Sequence, residues 1–418
     1  MTEALRRPAQ PPVPTPAKPW VRPPAQPSDY PARAVVDLGA VRRNVAGLVD
    51  RATGAQVMAV VKADGYGHGL VPTARAALAG GATWLGVAQM SEALELRSAG
   101  VDAPLLSWLH TPAAPFGEAV RAGVDLSVAA GWTLDAIVGA ARELGVTARV
   151  HLKVDTGLGR NGVAPADLDD LLVALARAQA EGAVEVVGLW SHLAWADAPD
   201  HPTVLGQALV LDDACRQAAR HGVRPALRHL ANSAATVTNP AMHYDLVRPG
   251  LAVYGLSPVP HLASADDLGL EPAMRLEAEL ALVKRVPSGQ GVSYAHAYRT
   301  EHETVLGVVP LGYADGVPRH ASGTQGAWGG PVQVGGRRLG IAGRVCMDQV
   351  VLDLGPDATE QAGDTVVLFG SGGHGEPTAE DWARSAGTIA YEIVTRLGAR
   401  VPRTYVGEGS SSRVGEQP

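Results

Sequence analysis

Val57-Met58-Ala59-Val60-Val61-Lys62-Ala63-Asp64-Gly65-Tyr66-Gly67-His68-Gly69 sets an apolar run against one lysine and a glycine-punctuated turn. The run reads as a strand buried in a sheet or barrel. The lysine ending it is delivered to the rim. At an apolar rim an ammonium loses hydration, its charged form is disfavoured, and the free amine becomes a better nucleophile toward carbonyls. A lysine snorkelling from a strand end is the ordinary alternative. The glycines and Tyr66 crowded beside Lys62 favour the chemical reading.

Outward from this stretch, short apolar segments alternate with alanine-rich stretches of helical period from Ala34 to about Tyr254. That rhythm predicts βα units around a parallel sheet. Eight strands are expected, near 57–61, 84–87, 105–108, 124–128, 148–154, 184–191, 226–230 and 244–247. The clearest helix is Asp167 to Ala180, with Leu168, Leu171, Leu172 and Leu175 on one face and Gly182 placed to end it. Eight such units fit a TIM-type (β/α)8 barrel, usually about 250 residues long. A doubly wound open sheet competes, but no Gly-x-Gly-x-x-Gly turn follows an early strand. The unusual polar residues fall just past strand ends: Lys62, Lys153, His192, Asn232-Ser233 and Arg248. Barrel active sites occupy that C-terminal rim, so one convergent site is expected.

Beyond about residue 265, strands over Met274–Val286, Thr304–Val309, Pro331–Val334, Arg338–Arg344, Val350–Leu354 and Thr365–Phe369 are joined by Gly/Asp/Pro turns. They predict a mainly antiparallel β domain. The fold class is therefore α/β, an N-terminal barrel followed by a β domain. The expected organisation is a disordered Pro-rich tail at 1–30, a barrel at 31–265, a β domain at 266–405 and a disordered tail at 406–418.

A net charge of -7 with no basic block argues against nucleic acid as a partner. No Cys/His spacing resembles a zinc site, so no metal is expected. Cys215 and Cys346 are far apart in a chain too long to need a disulfide, which suits a reducing compartment. No apolar run approaches the roughly 20 residues of a membrane span. Arg6-Arg7 is followed by prolines rather than an apolar stretch, so no signal peptide and a cytoplasmic setting are expected.

A desolvated rim lysine calls for a carbonyl, and an aldehyde cofactor is the economical partner. If the cofactor is phosphorylated, its anion cradle is expected after strands seven and eight, where Asn232-Ser233 and Arg248-Pro249-Gly250-Leu251 lie. Ser233 can donate a hydroxyl, its ordinary alternative being a helix N-cap. Gly250 lets backbone amides approach closely. His192, after a Trp-Ser pair, can lie against a ring or relay protons. In His151-Leu152-Lys153-Val154-Asp155-Thr156-Gly157-Leu158-Gly159-Arg160, a lysine pointing into a barrel is costly unless paired or modified. A carbamate on Lys153 would convert it to an anion able to hold Arg160.

The Lys62 segment and the Lys153–Arg160 run together resemble the bacterial alanine racemases. So do His229-Leu230-Ala231-Asn232-Ser233, Arg248-Pro249-Gly250-Leu251, Gly291-Val292-Ser293-Tyr294 and Cys346-Met347-Asp348-Gln349. The resemblance runs from about Ala34 to Tyr405 and implies a cytoplasmic homodimer with shared sites, making D-alanine for peptidoglycan. It implies that Lys62 carries pyridoxal 5′-phosphate. Tyr66, Ser233, Gly250, Leu251 and Tyr391 match phosphate contacts, with Asn232 among the cofactor-binding positions. Arg248 matches the arginine facing the pyridine nitrogen, and His192 the histidine beside the ring. Arg160 matches the partner of the cofactor phenolate, and Lys153 the lysine often carbamylated. Tyr294 matches the second catalytic base, and Met347 and Asp348 substrate-side residues, all three from the opposite subunit.

These roles are physically coherent. Racemisation removes a proton from one face of a carbon and returns one to the other, so two bases must flank it. An arginine cannot give up its proton, so it leaves the pyridine nitrogen unprotonated and discourages transamination. A racemase of the same family acting on serine or larger amino acids is the alternative, and Tyr391 argues for a small pocket. A non-catalytic cofactor carrier would lack the β domain. A decarboxylase of this fold type would carry an acidic group where Arg248 stands. Two departures from the family pattern are Ala295, where glycine is usual, and the large indole of Trp195 near the rim.

Overall fold

The computed structural model describes residues 30–407. The disordered tails expected at 1–30 and 406–418 lie outside the described residues except for Tyr30, Val406 and Gly407, and Val406 is the last residue of the strand Arg403–Val406 rather than part of a tail. After β1 (Ala32–Asp37), eight parallel strands close a barrel: β2 (Gln56–Val60), β3 (Trp84–Val87), β4 (Leu105–Ser107), β5 (Asp125–Val128), β6 (Ala148–Lys153), β7 (Val184–Trp190), β8 (Leu227–His229) and β9 (Leu246–Val247). β2 pairs with both β3 and β9. The β8–β9 seam is bridged by Asp245 N–H to Arg228 O at 3.0 Å and Arg248 N–H to Ala231 O at 2.9 Å. All eight predicted strands are present, their ends within two residues of expectation.

Amphipathic helices cover the outside. Leu168–Ala180 buries Leu168, Leu171, Leu172, Leu175 and Ala178, the stripe expected of its period. Its first turn differs from expectation because Pro165 starts a short 3-10 turn over Pro165–Asp167. Inside the barrel, Met58, Trp84, Leu106, Val187, Leu227 and Leu246 form an apolar cluster separate from the main core. Six strands supply that filling. The other two, β5 and β6, bury Asp125, Ser127, His151 and Lys153 instead.

The C-terminal part contains β10 (Met274–Glu279), β11 (Leu282–Val286), β12 (Gly291–Val292), β13 (Tyr298–Arg299), β14 (Thr304–Val309), β15 (Pro331–Val334), β16 (Arg337–Gly340), β17 (Val350–Gly355), β18 (Thr365–Phe369) and β19 (Arg403–Val406). The single strand expected over Met274–Val286 is two. The chain crosses between sheets there, Leu280 N–H bonding to Asp364 O and Ala281 N–H to Val308 O. The strand expected to reach Arg344 stops at Gly340. A six-stranded sheet runs β16-β15-β18-β10-β1-β19, and a three-stranded one runs β11-β14-β17. β1 was not among the expected strands. It pairs antiparallel with β10 and parallel with β19, so the start of the chain is bonded into the C-terminal sheet.

Candidate active site

Past Lys62 the backbone enters a left-handed turn through Ala63 (φ 55°, ψ 51°), Asp64 (φ 55°, ψ 48°), Gly65 (φ 59°, ψ 44°) and Tyr66 (φ 52°). Such a turn costs an L-residue about 1–2 kcal/mol per position, so it requires anchors. Glu92 Oε1 accepts Ala63 N–H at 2.6 Å, while its Oε2 accepts Ala88 and Gln89 N–H at 3.0 Å each. Asp64 Oδ1 accepts Leu70 N–H at 2.8 Å. The turn swings Tyr66 back beside Lys62, its ring stacked on Tyr254 at 4.9 Å.

A cavity of about 380 Å³ opens at this rim. Lys62, Tyr66, Lys153, Arg160, His192, Asn232, Ser233, Arg248, Gly250, Leu251 and Tyr391 all line it, so the structure brings together the eleven barrel-side and phosphate-side residues named from the sequence. Four of them are cationic, and no carboxylate is among the lining residues. Uncompensated like charges disfavour one another's protonated forms. Burial, then Arg160, pulls the Lys62 amine below its ordinary pKa. Burial, then Arg248, Arg160 and Lys62, takes Lys153 down to about 7. His192 is held well below its usual value by desolvation and then by all four cations, so its imidazole is neutral. Burial brings Arg248 down to about 9, leaving it a cation at neutral pH.

One end of the cavity is built from neutral donors. Ser233 Oγ accepts Gly250 N–H at 2.7 Å and Ala252 N–H at 3.3 Å. The helix Ser233–Thr238 is capped by Asn232, whose Oδ1 accepts Ala235 N–H at 3.2 Å. The cap is thus Asn232, not Ser233. A Cβ at Gly250 would lie 2.3 Å from the Tyr66 hydroxyl, which is why glycine is required there. Burial raises Tyr66, and burial followed by Asp197 raises Tyr391 to about 12, so both phenols keep their protons.

The other end is held by Arg248. Its Nη2 donates to Ser191 O at 2.7 Å and Leu230 O at 3.2 Å, and its Nη1 donates to His229 Nδ1 at 3.2 Å. Trp190 forms the floor, with Lys153 Nζ 4.2 Å and the Arg248 guanidinium 4.8 Å from its ring centre. The arrangement suits an anionic ligand with a phosphate-like group at Ser233 and Gly250 and a carbonyl within reach of Lys62.

Tyr294, Met347 and Asp348 do not line this cavity. The segments that bear them come together elsewhere, through Ser293 and Cys346. Ser293 Oγ donates to Arg344 O at 2.7 Å and lies 3.2 Å from Cys346 Sγ. Tyr294 there is 69% exposed and Met347 52%, an apolar display that signals a contact surface. Trp195 is also exposed, stacked on His201 at 4.2 Å rather than lining the cavity. Sequence reasoning missed Trp190, Glu92 and the polar barrel interior. The alternation Arg149, His151, Lys153 along one strand was a usable signal, because alternate residues share a face.

Residues 36–258 match the family model described as alanine racemase, N-terminal domain, and residues 273–405 that described as alanine racemase, C-terminal domain. The chain is 63% identical over 378 residues to the alanine racemase of Beutenbergia cavernae, covering 90% of this chain and 98% of that one. It is 56% identical over 382 residues to the Streptomyces coelicolor alanine racemase, with 90% and 96% covered. It superposes on the crystal structure of the alanine racemase from D-cycloserine-producing Streptomyces lavendulae with a TM-score of 0.88, at 55% identity over 90% of this chain and 97% of that one.

Proposed function

This chain belongs to the alanine racemase family, and from that premise we propose that it interconverts L- and D-alanine by a two-base mechanism, with pyridoxal 5′-phosphate on Lys62 and Tyr294 reaching each cavity from the partner chain of a homodimer. The observation that carries this reading is one desolvated amine, Lys62, sharing a cavity with three further cationic side chains, Lys153, Arg160 and Arg248, and with no carboxylate among the lining residues. That donor set fits the cofactor. Ser233, whose own hydroxyl proton is free once its Oγ has accepted the Gly250 amide, and the phenols of Tyr66 and Tyr391 would hold its phosphate against Gly250, Arg160 its phenolate and Arg248 its ring nitrogen. When bound, the cofactor supplies an electron sink that acidifies the substrate's α-proton.

The protein's own groups then divide the work. Lys62, its ammonium disfavoured by burial, takes or returns a proton on one face of the α-carbon. Tyr294 serves the opposite face, with Met347 and Asp348 beside the substrate. Arg248 donates hydrogen bonds without surrendering a proton, which keeps the reaction on racemisation. Neutral His192 packs beside the ring without adding charge. Lys153, drawn down to about 7, is partly free amine at neutral pH, the form that takes up carbon dioxide as a carbamate and then faces Arg160 as an anion. Tyr391 narrows the cavity toward small side chains. The D-alanine formed would supply peptidoglycan synthesis in the cytoplasm.

The test is a chiral assay of the purified protein with L-alanine, L-serine and L-lysine, beside its Lys62→Ala variant. Alanine turned over at least about tenfold faster than the others is expected, with activity and the visible absorbance of bound cofactor both lost in the variant. Retention of both in Lys62→Ala would overturn the assignment.

A further inference from the structure

The polar strand pair inside the barrel continues below the cavity. His229, which accepts from Arg248, lies with its Nε2 2.9 Å from His151 Nδ1. His151 Nε2 lies 3.2 Å from Asp125 Oδ2. Asp125 Oδ1 accepts from Arg149 Nε at 2.9 Å, and Arg149 reaches Glu185 at the surface at 3.2 Å. Asp125, His151 and His229 are each no more than 1% exposed. Four strands thus carry one unbroken line of hydrogen bonds from the far mouth of the barrel to the cavity. The chain makes room for it: a Cβ on Gly188 would lie 2.3 Å from His151 Nδ1.

We propose that Asp125 is a positioning residue for Arg248, acting through His151 and His229 as a hydrogen-bond chain with one fixed direction. A guanidinium has no lone pair to offer and a carboxylate no proton, so the two ends dictate every bond between them. Asp125 accepts from His151 Nε2–H, leaving His151 Nδ1 bare. That nitrogen accepts from His229 Nε2–H, leaving His229 Nδ1 bare to accept from Arg248. Both imidazoles are neutral Nε2–H tautomers, and each buried polar atom is satisfied only in this direction. With one bond to His229 and two to carbonyls, three of the five N–H groups of Arg248 are committed to the protein. The guanidinium plane is set before any ligand arrives.

This inference rests on Arg248 being the group that faces the cofactor ring, so its test includes a readout independent of turnover. Neutron diffraction from the deuterated protein, with and without cofactor, should place deuterium on Nε2 and none on Nδ1 of both histidines. Deuterium on either Nδ1 would overturn the proposal. In solution, Asp125→Ala should lower kcat about tenfold with KM for alanine within about twofold. It should also raise several-fold the pyruvate released per racemisation, the amino group passing to the cofactor as the keto acid leaves. A lowered Tm with an unchanged pyruvate ratio would mark Asp125 as structural and overturn the proposal. Should that variant not fold, Asp125→Asn preserves shape. With its Oδ1 still facing Arg149, its amide N–H faces His151 and reverses the chain, so two donors oppose each other at Arg248 and the same pyruvate rise is expected. If the wild-type protein failed to racemise alanine, the functional reading would fall while the deuterium positions would still decide the chain.

Discussion

Lys153 and Trp190 are register partners on neighbouring barrel strands, and the ammonium lies 4.2 Å from the centre of the indole ring. A cation–π contact contributes about 0.5–2 kcal/mol, too little to offset burial beside Arg248, Arg160 and Lys62, which together hold the amine down to about 7.

The sign of the resulting pH dependence follows directly. An unfolded lysine keeps its proton up to 10.5, whereas the folded one releases it near 7. Between those values the unfolded chain binds more protons, so stability rises with pH across that window, and the penalty is complete below it. Lys153→Met removes the penalty. In cofactor-free protein and CO2-free buffer, its Tm should exceed that of wild type most at pH 6 to 7, with the gap closing toward about pH 10. A gap independent of pH would show that Lys153 is not a strained cation.

Glu92 is the anchor of the left-handed turn that presents Lys62, its two oxygens taking three backbone N–H groups. In Glu92→Gln one end of the side chain becomes a donor and at least one of those bonds is lost. Hydrogen bonds to charged groups contribute about 1.5–3 kcal/mol. Cofactor affinity, read by fluorescence titration, should weaken roughly tenfold or more, with far-ultraviolet circular dichroism unchanged. Wild-type affinity in this variant would mean that the turn holds itself.

The barrel was legible because most of its strands are short, mainly apolar runs set between helical stretches, and the residues that line the cavity fall at or just past strand ends, as at Lys62 and Arg248. β1 was not legible. Its neighbours β10 and β19 are 237 or more residues away in sequence, and nothing in Ala32–Asp37 distinguishes a strand of the distant sheet from one of the nearby barrel. The cavity residues were read from motifs, whereas Asp125 and His151 look like isolated polar residues in apolar strands until the closed barrel sets them side by side. The non-glycine left-handed turn at Ala63 and Asp64 was equally hidden, because its anchor, Glu92, is 29 residues from Ala63.

The separation of Tyr294 from the cavity within one chain makes a stoichiometric prediction. In the shared-site homodimer proposed above, Lys62→Ala lacks the amine in its own cavity, and Tyr294→Phe supplies no phenol to its partner's. Each variant alone should be inactive. In a mixed dimer one cavity carries both changes and the other neither. Random mixing puts half the chains' sites in mixed dimers, so about one quarter of wild-type activity should return. No recovery in mixed dimers verified by mass spectrometry would place Tyr294 outside the site.

The segment bearing Tyr294 is strained on both sides. Ser293 (φ 60°, ψ -169°) occupies a region otherwise nearly reserved for glycine, and Ala295 (φ 59°, ψ 13°) and His296 (φ 46°) are left-handed. Each such residue costs on the order of 1–3 kcal/mol and persists only where its surroundings impose it. The Ser293 hydroxyl bond to Arg344 O imposes part of it. Ala295 stands where the family usually has glycine, so Ala295→Gly removes a strain without deleting a contact. The unfolded chain gains freedom in the exchange, which offsets part of the benefit. Unfolding free energy should therefore rise by about 0.5–1 kcal/mol, measured by urea denaturation. The same substitution loosens the segment that aims the phenol, so kcat should fall several-fold while cofactor absorbance stays constant. A destabilised variant with unchanged kcat would show that the positive φ at Ala295 is neither strained nor used to direct Tyr294.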